Sequence, residues 1–184
     1  MVPSASLPPQ RGGVMWVRNG LGRTSAATVE PPLAPLEGLG VSVLRLATKI
    51  DPLGELPLAS RPPFAGSAGY VVEFAESAQA EAAWPQMHQG FLGAYMATGS
   101  TRRLGIDVPA GPRGGAVFDA QGRLAGISVP GANGVAMMLP VSTWASAQAT
   151  APAPASLNAT SMAPTPEMLY EKSLPIVLQV IVAQ

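Results

Sequence analysis

The stretch Gly105 to Pro140, GIDVPAGPRGGAVFDAQGRLAGISVPGANGVAMMLP, constrains the fold more than any other part of the chain. A Gly-Pro-Arg-Gly-Gly turn (Gly111 to Gly115) opens onto the apolar run Ala116-Val117-Phe118. The turn Asp119-Ala120-Gln121-Gly122 follows, then a second apolar run, Leu124 to Val129. A Gly/Asn loop (Pro130 to Gly134) leads to a third run, Val135 to Leu139, stopped by Pro140. Three short runs separated by turn residues predict an antiparallel β-meander.

Composition agrees with a loop-rich β protein. Only 12% of residues are charged, while Gly and Pro number 20 each. That balance fits short strands with Pro/Ala linkers better than a helical bundle. The 184 residues suit one domain, or one domain with a tail, and are enough to bury a core. Formal net charge is zero, which argues against nucleic acid or an anionic membrane surface as partner. Without Cys there is no disulfide, thiol nucleophile or thiolate metal site. One His rules out a multi-His metal site within a single chain, and no cofactor motif is present. The first residues, MVPSASLPPQRGG, lack the continuous apolar region of a secretory signal. No stretch approaches the ~20 apolar residues of a membrane-spanning helix.

The rest of the chain follows the same short-strand grammar. Residues 1–13 read as irregular. Val14 to Val17 predicts a strand with Asn19-Gly20 as its turn, and Thr24 to Val29 its partner. Val41 to Leu46 predicts a mostly buried strand, and Tyr70 to Phe74 a strong one. Glu76 to Trp84 reads as a short helix or a long loop. Phe91 to Met96 predicts a strand with Gly93 at a bulge or close contact. Residues 40–141 thus hold about six strands, as in one antiparallel six-stranded barrel. An Ala/Pro/Ser/Thr-rich linker spans 144–164. Thr165-Pro166-Glu167 then has the marks of a helix start: an N-cap, Pro at the first position and an early acid. Pro175 ends that helix, and Ile176 to Val182 is the most β-prone run in the chain.

The Gly111–Pro140 layout resembles the nucleophile region of the trypsin-like (chymotrypsin-fold) serine peptidases, in particular the bacterial high-temperature-requirement (Deg-type) branch. The matching residues are Gly111, Gly114, Gly115, Ala116, Val117, Phe118, Asp119, Gly122, Gly126, Ile127 and Pro140. Leu56-Pro57-Leu58 is similar to a Leu-Pro-Leu-type segment of the family. Tyr170-Glu171, Pro175, Val177 and Val180 resemble the pattern at the start of its domain. The resemblance implies an all-β fold. One trypsin-like barrel would occupy 39–143, remnant strands of an incomplete second barrel 1–38, and a helix–strand docking segment 165–184. It also hints at an extracytoplasmic setting. The segment Ile176, Val177, Leu178, Val180 and Ile181 would either complete the chain's own first half or add to a sheet edge in a partner protein. A linker of about 20 residues, near 25 Å end to end, reaches either target.

The chemistry departs from the family at each position that matters. A serine peptidase needs a hydroxyl, an imidazole to deprotonate it, an acid to orient the imidazole, and two backbone N–H groups for the oxyanion. The resemblance gives the oxyanion loop to Gly111, Arg113, Gly114 and Gly115. It also puts Arg113 where the nucleophilic Ser would stand, and a guanidinium cannot attack a carbonyl. Gly40 stands at the acid position, with Glu37 the nearest acid upstream. The sole imidazole, His88, lies between two predicted strands and reads as a surface or partly buried loop residue. Ser100, Ser128 and Ser142 read as ordinary strand-end or loop serines. Asp107 lies where basic-selective members carry their pocket acid, and its plainer reading is a surface partner of Arg102, Arg103 or Arg113. Arg102 and Arg103 read as a solvated strand edge. The resulting expectation is a non-catalytic trypsin-like domain that binds or scaffolds another protein. The alternatives are a fragment of a longer serine endopeptidase and a small structural subunit of an assembly.

Overall fold

The computed structural model describes residues 1–7, 15–31, 34–50, 57–74, 84–96, 100–109, 114–131, 134–145 and 163–182. Its strands are β1 (Val2–Pro3), β2 (Met15–Asn19), β3 (Thr24–Val29), β4 (Val41–Ser42), β5 (Leu44–Leu46), β6 (Ser67–Glu73), β7 (Gln86–Tyr95), β8 (Arg102–Gly105), β9 (Gly115–Asp119), β10 (Leu124–Pro130), β11 (Ala136–Pro140) and β12 (Leu178–Val182). A helix, α1 (Pro166–Ser173), follows the linker. The molecule is mostly β, as expected, and no described helix is long and apolar enough to cross a membrane. The expected helix or loop at Glu76 to Trp84 lies mainly outside the described residues, as does most of the linker.

Six antiparallel strands close into a barrel in the order β10-β11-β8-β7-β6-β9. The predicted meander is its β9-β10-β11 segment. Alternation along these strands sends Val71, Leu92, Leu104, Val117 and Met138 into the barrel, with Ile106 and Ala125 beside them. Their neighbours Val72, Phe118 and Leu139 point outward into a second, larger core. All six barrel strands come from residues 67–140. The Val41–Leu46 run, counted with the barrel from sequence, belongs elsewhere. Val43 splits it, its carbonyl accepting from the Glu30 N–H at 2.8 Å. β4 then pairs with β1, and β5 pairs with β3. Arg102–Gly105 supplies a barrel strand instead, between β7 and β11.

Besides the two-stranded β1–β4 pair, four strands form a sheet in the order β12-β2-β3-β5. Val17, Ala27 and Ile50 are buried on it, flanked by Leu44, Leu46, Leu178 and Val180. The larger core joins the Leu36–Val43 stretch and the C-terminal segment to the barrel wall. Leu36 and Val41 meet Val72 and Phe118 there, together with Leu169 and Val177 from the C-terminal segment.

The β2–β3 and β9–β10 hairpins are turned by the same device. Asn19 and Asp119 each accept two backbone N–H bonds on their Oδ1. The donors are Leu21 (3.0 Å) and Arg23 (2.9 Å) in one turn, and Gln121 (2.9 Å) and Arg123 (3.0 Å) in the other. Gly22 and Gly122 follow with φ of +80° and +72°, a region that an L side chain enters only with strain. Both Asn19 and Asp119 are almost fully buried, so these bonds replace the water each would otherwise require.

The C-terminal segment rests on both turns. Gly20 N–H donates to the Leu174 carbonyl at 2.8 Å, and Asn19 Nδ2 to the Pro175 carbonyl at 3.3 Å. At the other turn, a Cβ on Gly122 would come within 2.7 Å of Pro164 Cγ and 3.5 Å of Leu169 Cδ1. Between these ends runs α1, capped as predicted by Thr165 Oγ1 accepting from Met168 N–H at 3.4 Å. Tyr170 adds a third anchor, its hydroxyl donating to the Pro85 carbonyl at 2.6 Å.

This arrangement yields a comparison of two glycines. Alanine at Gly22 meets open space, so its cost is conformational, about 1 kcal/mol. Alanine at Gly122 carries the same conformational cost and also displaces Pro164, for about a further 1–2 kcal/mol of overpacking. Urea unfolding of Gly22→Ala and Gly122→Ala measures the difference. Equal losses would mean that the contact with Pro164 contributes nothing.

Candidate functional site

The Gly114–Gly115 end of the barrel is where the trypsin-like resemblance would put the oxyanion loop. Ala110, Gly111, Pro112 and Arg113 lie outside the described residues. Gly114 and Gly115 are described, and neither has positive φ. Both are explained by close approach instead. A Cβ on Gly115 would stand 2.6 Å from the Val72 carbonyl oxygen and 2.7 Å from Glu73 Cβ, across the β6–β9 ladder. A Cβ on Gly114 would collide with the ring of Pro3.

Pro3 leads directly to the position expected for the acid. It pairs with Val41 in the β1–β4 ladder, and the next N–H, of Ser4, donates to the Gly40 carbonyl at 2.8 Å. Ser4 Oγ and Ser42 Oγ lie 2.8 Å apart, in hydrogen-bond contact. Val2–Ser4 thus runs between Gly40 on one side and Gly114 on the other. Gly40 itself has φ +68°, so a side chain of either charge would be strained there. Residues 1–13 were expected to be irregular, yet among the described ones Val2–Ser4 form a bridge across this junction.

His88 is not a loop residue. It lies in β7, which starts at Gln86, ahead of the predicted start, and it pairs with Val71 of β6. Val71 points into the barrel, so His88 does too. Its Nε2 is 3.7 Å from Oε1 of Glu73, a carboxylate with no exposed surface. Glu73 was not singled out from sequence. The available signal was an acid closing the apolar run Tyr70-Val71-Val72, on the parity of the inward-facing Val71. The imidazole and the buried carboxylate thus stand side by side in the barrel end, where Glu73 pairs with Gly115 across the β6–β9 ladder. Neither member of this pair is a residue that the trypsin-like resemblance would use.

Arg102 and Arg103 part company. The expected strand edge is absent, since β8 is paired on both sides within the barrel; Arg103 is exposed, but Arg102 is 1% exposed. Its Nε and Nη2 donate to the Gly93 carbonyl (2.9 and 2.7 Å), and its Nη1 to the Pro63 carbonyl (2.7 Å). The guanidinium lies 5.0 Å from the Tyr95 ring centroid. A charge leaves water at this cost only when its donors are filled, and three are filled here by backbone. Arg102 is therefore structural, tying the 61–64 segment to β7. Asp107 is exposed.

Ser128 is buried within β10, while Ser100 and Ser142 are exposed. Met137 and Met138 are core residues. Ile176 and Val177 belong to the main core, and Leu178, Val180 and Ile181 lie in β12. That strand pairs antiparallel with β2 of its own chain, Val180 opposite Val17 and Ile181 opposite Trp16. Of the two placements open from sequence, the structure has the intrachain one. Among the described residues no group of three or more His, Cys, Asp or Glu could hold a metal ion. Scans of the chain against protein-family models and against curated proteins find no match.

The contrast between the two arginines is measurable. Arg102→Met leaves the Gly93 and Pro63 carbonyls without their donor and is expected to cost about 2–4 kcal/mol. Arg103→Met is expected to stay within about 0.5 kcal/mol of the parent, as for most surface changes. Denaturant midpoints for the two variants check both values, and similar losses would contradict the structural role of Arg102.

Proposed function

We propose that this chain is a catalytically inactive trypsin-like domain that acts as a protein-binding or scaffolding module. The observation that carries the proposal is the occupied junction between Gly40 and Gly114. The resemblance puts the acid position at Gly40 on one side and part of the oxyanion loop at Gly114 on the other. Val2–Ser4 is hydrogen-bonded to one side and packed on the other. Substrate could not reach such a junction without displacing that strand.

Sequence supports the same reading. Arg113 replaces the hydroxyl and Gly40 replaces the carboxylate. The two losses together leave a framework without its chemistry. What remains is a closed barrel joined to a second sheet, with glycines held at Gly114 and Gly115 by packing alone. Such a framework is suited to presenting a surface.

A fluorophosphonate probe and a casein-type substrate test the catalytic half of this proposal. The purified chain is expected to show neither labelling nor cleavage. Arg113→Ser is also expected to remain unlabelled, because a serine without a base stays protonated. Reproducible labelling of the unmodified chain would sink the proposal and favour a serine endopeptidase.

A further inference from the structure

The four-stranded sheet has two edges, and they are treated differently. At one edge, β5 is three residues long and carries Arg45 at its centre. That guanidinium is paired to Glu30 through two hydrogen bonds of 2.7 and 2.9 Å. Short length and charge are the usual means by which an edge refuses a further strand. At the other edge, β12 is five residues long, LQVIV, with no charge and no proline. Its register against β2 is unbroken from Leu178 to Val182, so no bulge twists it away. Among the described residues no strand pairs with its outer side.

The closed barrel offers no edge at all, and β1 and β4 are two residues each. β12 is thus the long unguarded edge among the described strands. We propose that β12 pairs antiparallel with β12 of a second copy of this chain. The result is a two-fold dimer with one continuous eight-stranded sheet.

A second copy fits this edge for reasons of pattern and charge. Antiparallel pairing centred on Val180 sets position 178 opposite 182, Gln179 opposite Ile181, and Val180 opposite its mate. Parity is preserved, so the apolar face formed by Leu178 and Val180 continues across the two-fold axis. No like charges meet, because the strand has none. On the other face, Trp16 stands beside Ile181 and is 43% exposed, leaving apolar surface for the mate to cover. Hydrogen bonds from a single strand edge bury little area, so the dimer is a weak one, with a dissociation constant on the order of 10–100 µM. The inference concerns self-association and does not depend on whether the domain is catalytic.

The chain has no cysteine, which makes the test direct. Light scattering on the full chain across roughly 10 to 300 µM is expected to show the mass rising from monomer toward dimer. Val180→Cys under mild oxidation is expected to give a disulfide-linked dimer, since facing strand positions lie within about 4.5–5.5 Å. Arg45→Cys, on the guarded edge, is expected to give about tenfold less at the same protein concentration. Ile181→Lys adds the missing edge charge and is expected to weaken association by about tenfold or more. Circular dichroism identifies any variant that has merely unfolded, and the cysteine pair stands independently of that one. Monomeric mass throughout, equal crosslinking at positions 45 and 180, or association only with a different protein would each overturn the proposal.

Discussion

The contact on which the rest of the structure depends is that of the C-terminal segment with two hairpin turns at once. Leu174 and Pro175 hold the turn of β2–β3 through backbone and Asn19. Pro164 and Leu169 close on the turn of β9–β10 at Gly122. Between them, Leu169 and Val177 enter the larger core against the barrel wall, and both are nearly fully buried. Two buried aliphatic side chains contribute about 3–6 kcal/mol on area grounds, which is comparable to a small domain's entire net stability. A segment that could have been an accessory tail is instead part of the framework.

The twin turns make this clasp possible. Each closes a hairpin with a buried Asn or Asp whose Oδ1 gathers two N–H groups, and each ends in a left-handed glycine. At the second turn the C-terminal segment lies close over Gly122 itself, whereas at the first it approaches Gly20 and leaves Gly22 in open space. The two turns differ in a further respect. Asn19 spends its amide on the Pro175 carbonyl, whereas Asp119 spends its second oxygen on Arg123 at 2.8 Å. An amide can donate to the clasp and a carboxylate cannot, which matches the polar contact at the first turn and the apolar one at the second.

Local features were the legible ones. The meander, the Asn19 and Asp119 turns, the Thr165 cap and the final strand all rest on residues within a few positions of one another. The misplacements involve partners far along the chain. Val41–Leu46 has the pattern of one strand, but its halves are claimed by Val2–Pro3 and by Thr24–Val29. Nothing near Arg102 in sequence announces that the Pro63 carbonyl, 39 residues away, will take one of its donors. His88 lies in a polar stretch, Gln86-Met87-His88-Gln89, that reads as loop until its ladder with β6 is known. At the candidate site, Gly114 and Gly115 have no positive φ, and close packing accounts for both. The partner that packs on Gly114 comes from the opposite end of the chain.

The order of the four-stranded sheet has a further consequence, for how the molecule is made. Every strand of the barrel is drawn from residues 67–140, so its pairings close within the middle of the chain. The sheet is different: the Arg18–Gln179 contact that joins β2 to β12 spans 161 residues. Loops of that size form slowly, because closure entropy must be met before any contact rewards it. During synthesis the β2–β3 hairpin emerges long before its outer neighbour β12. For that interval its apolar face and one of its edges stand open, and the chain is most vulnerable to association with the wrong partner.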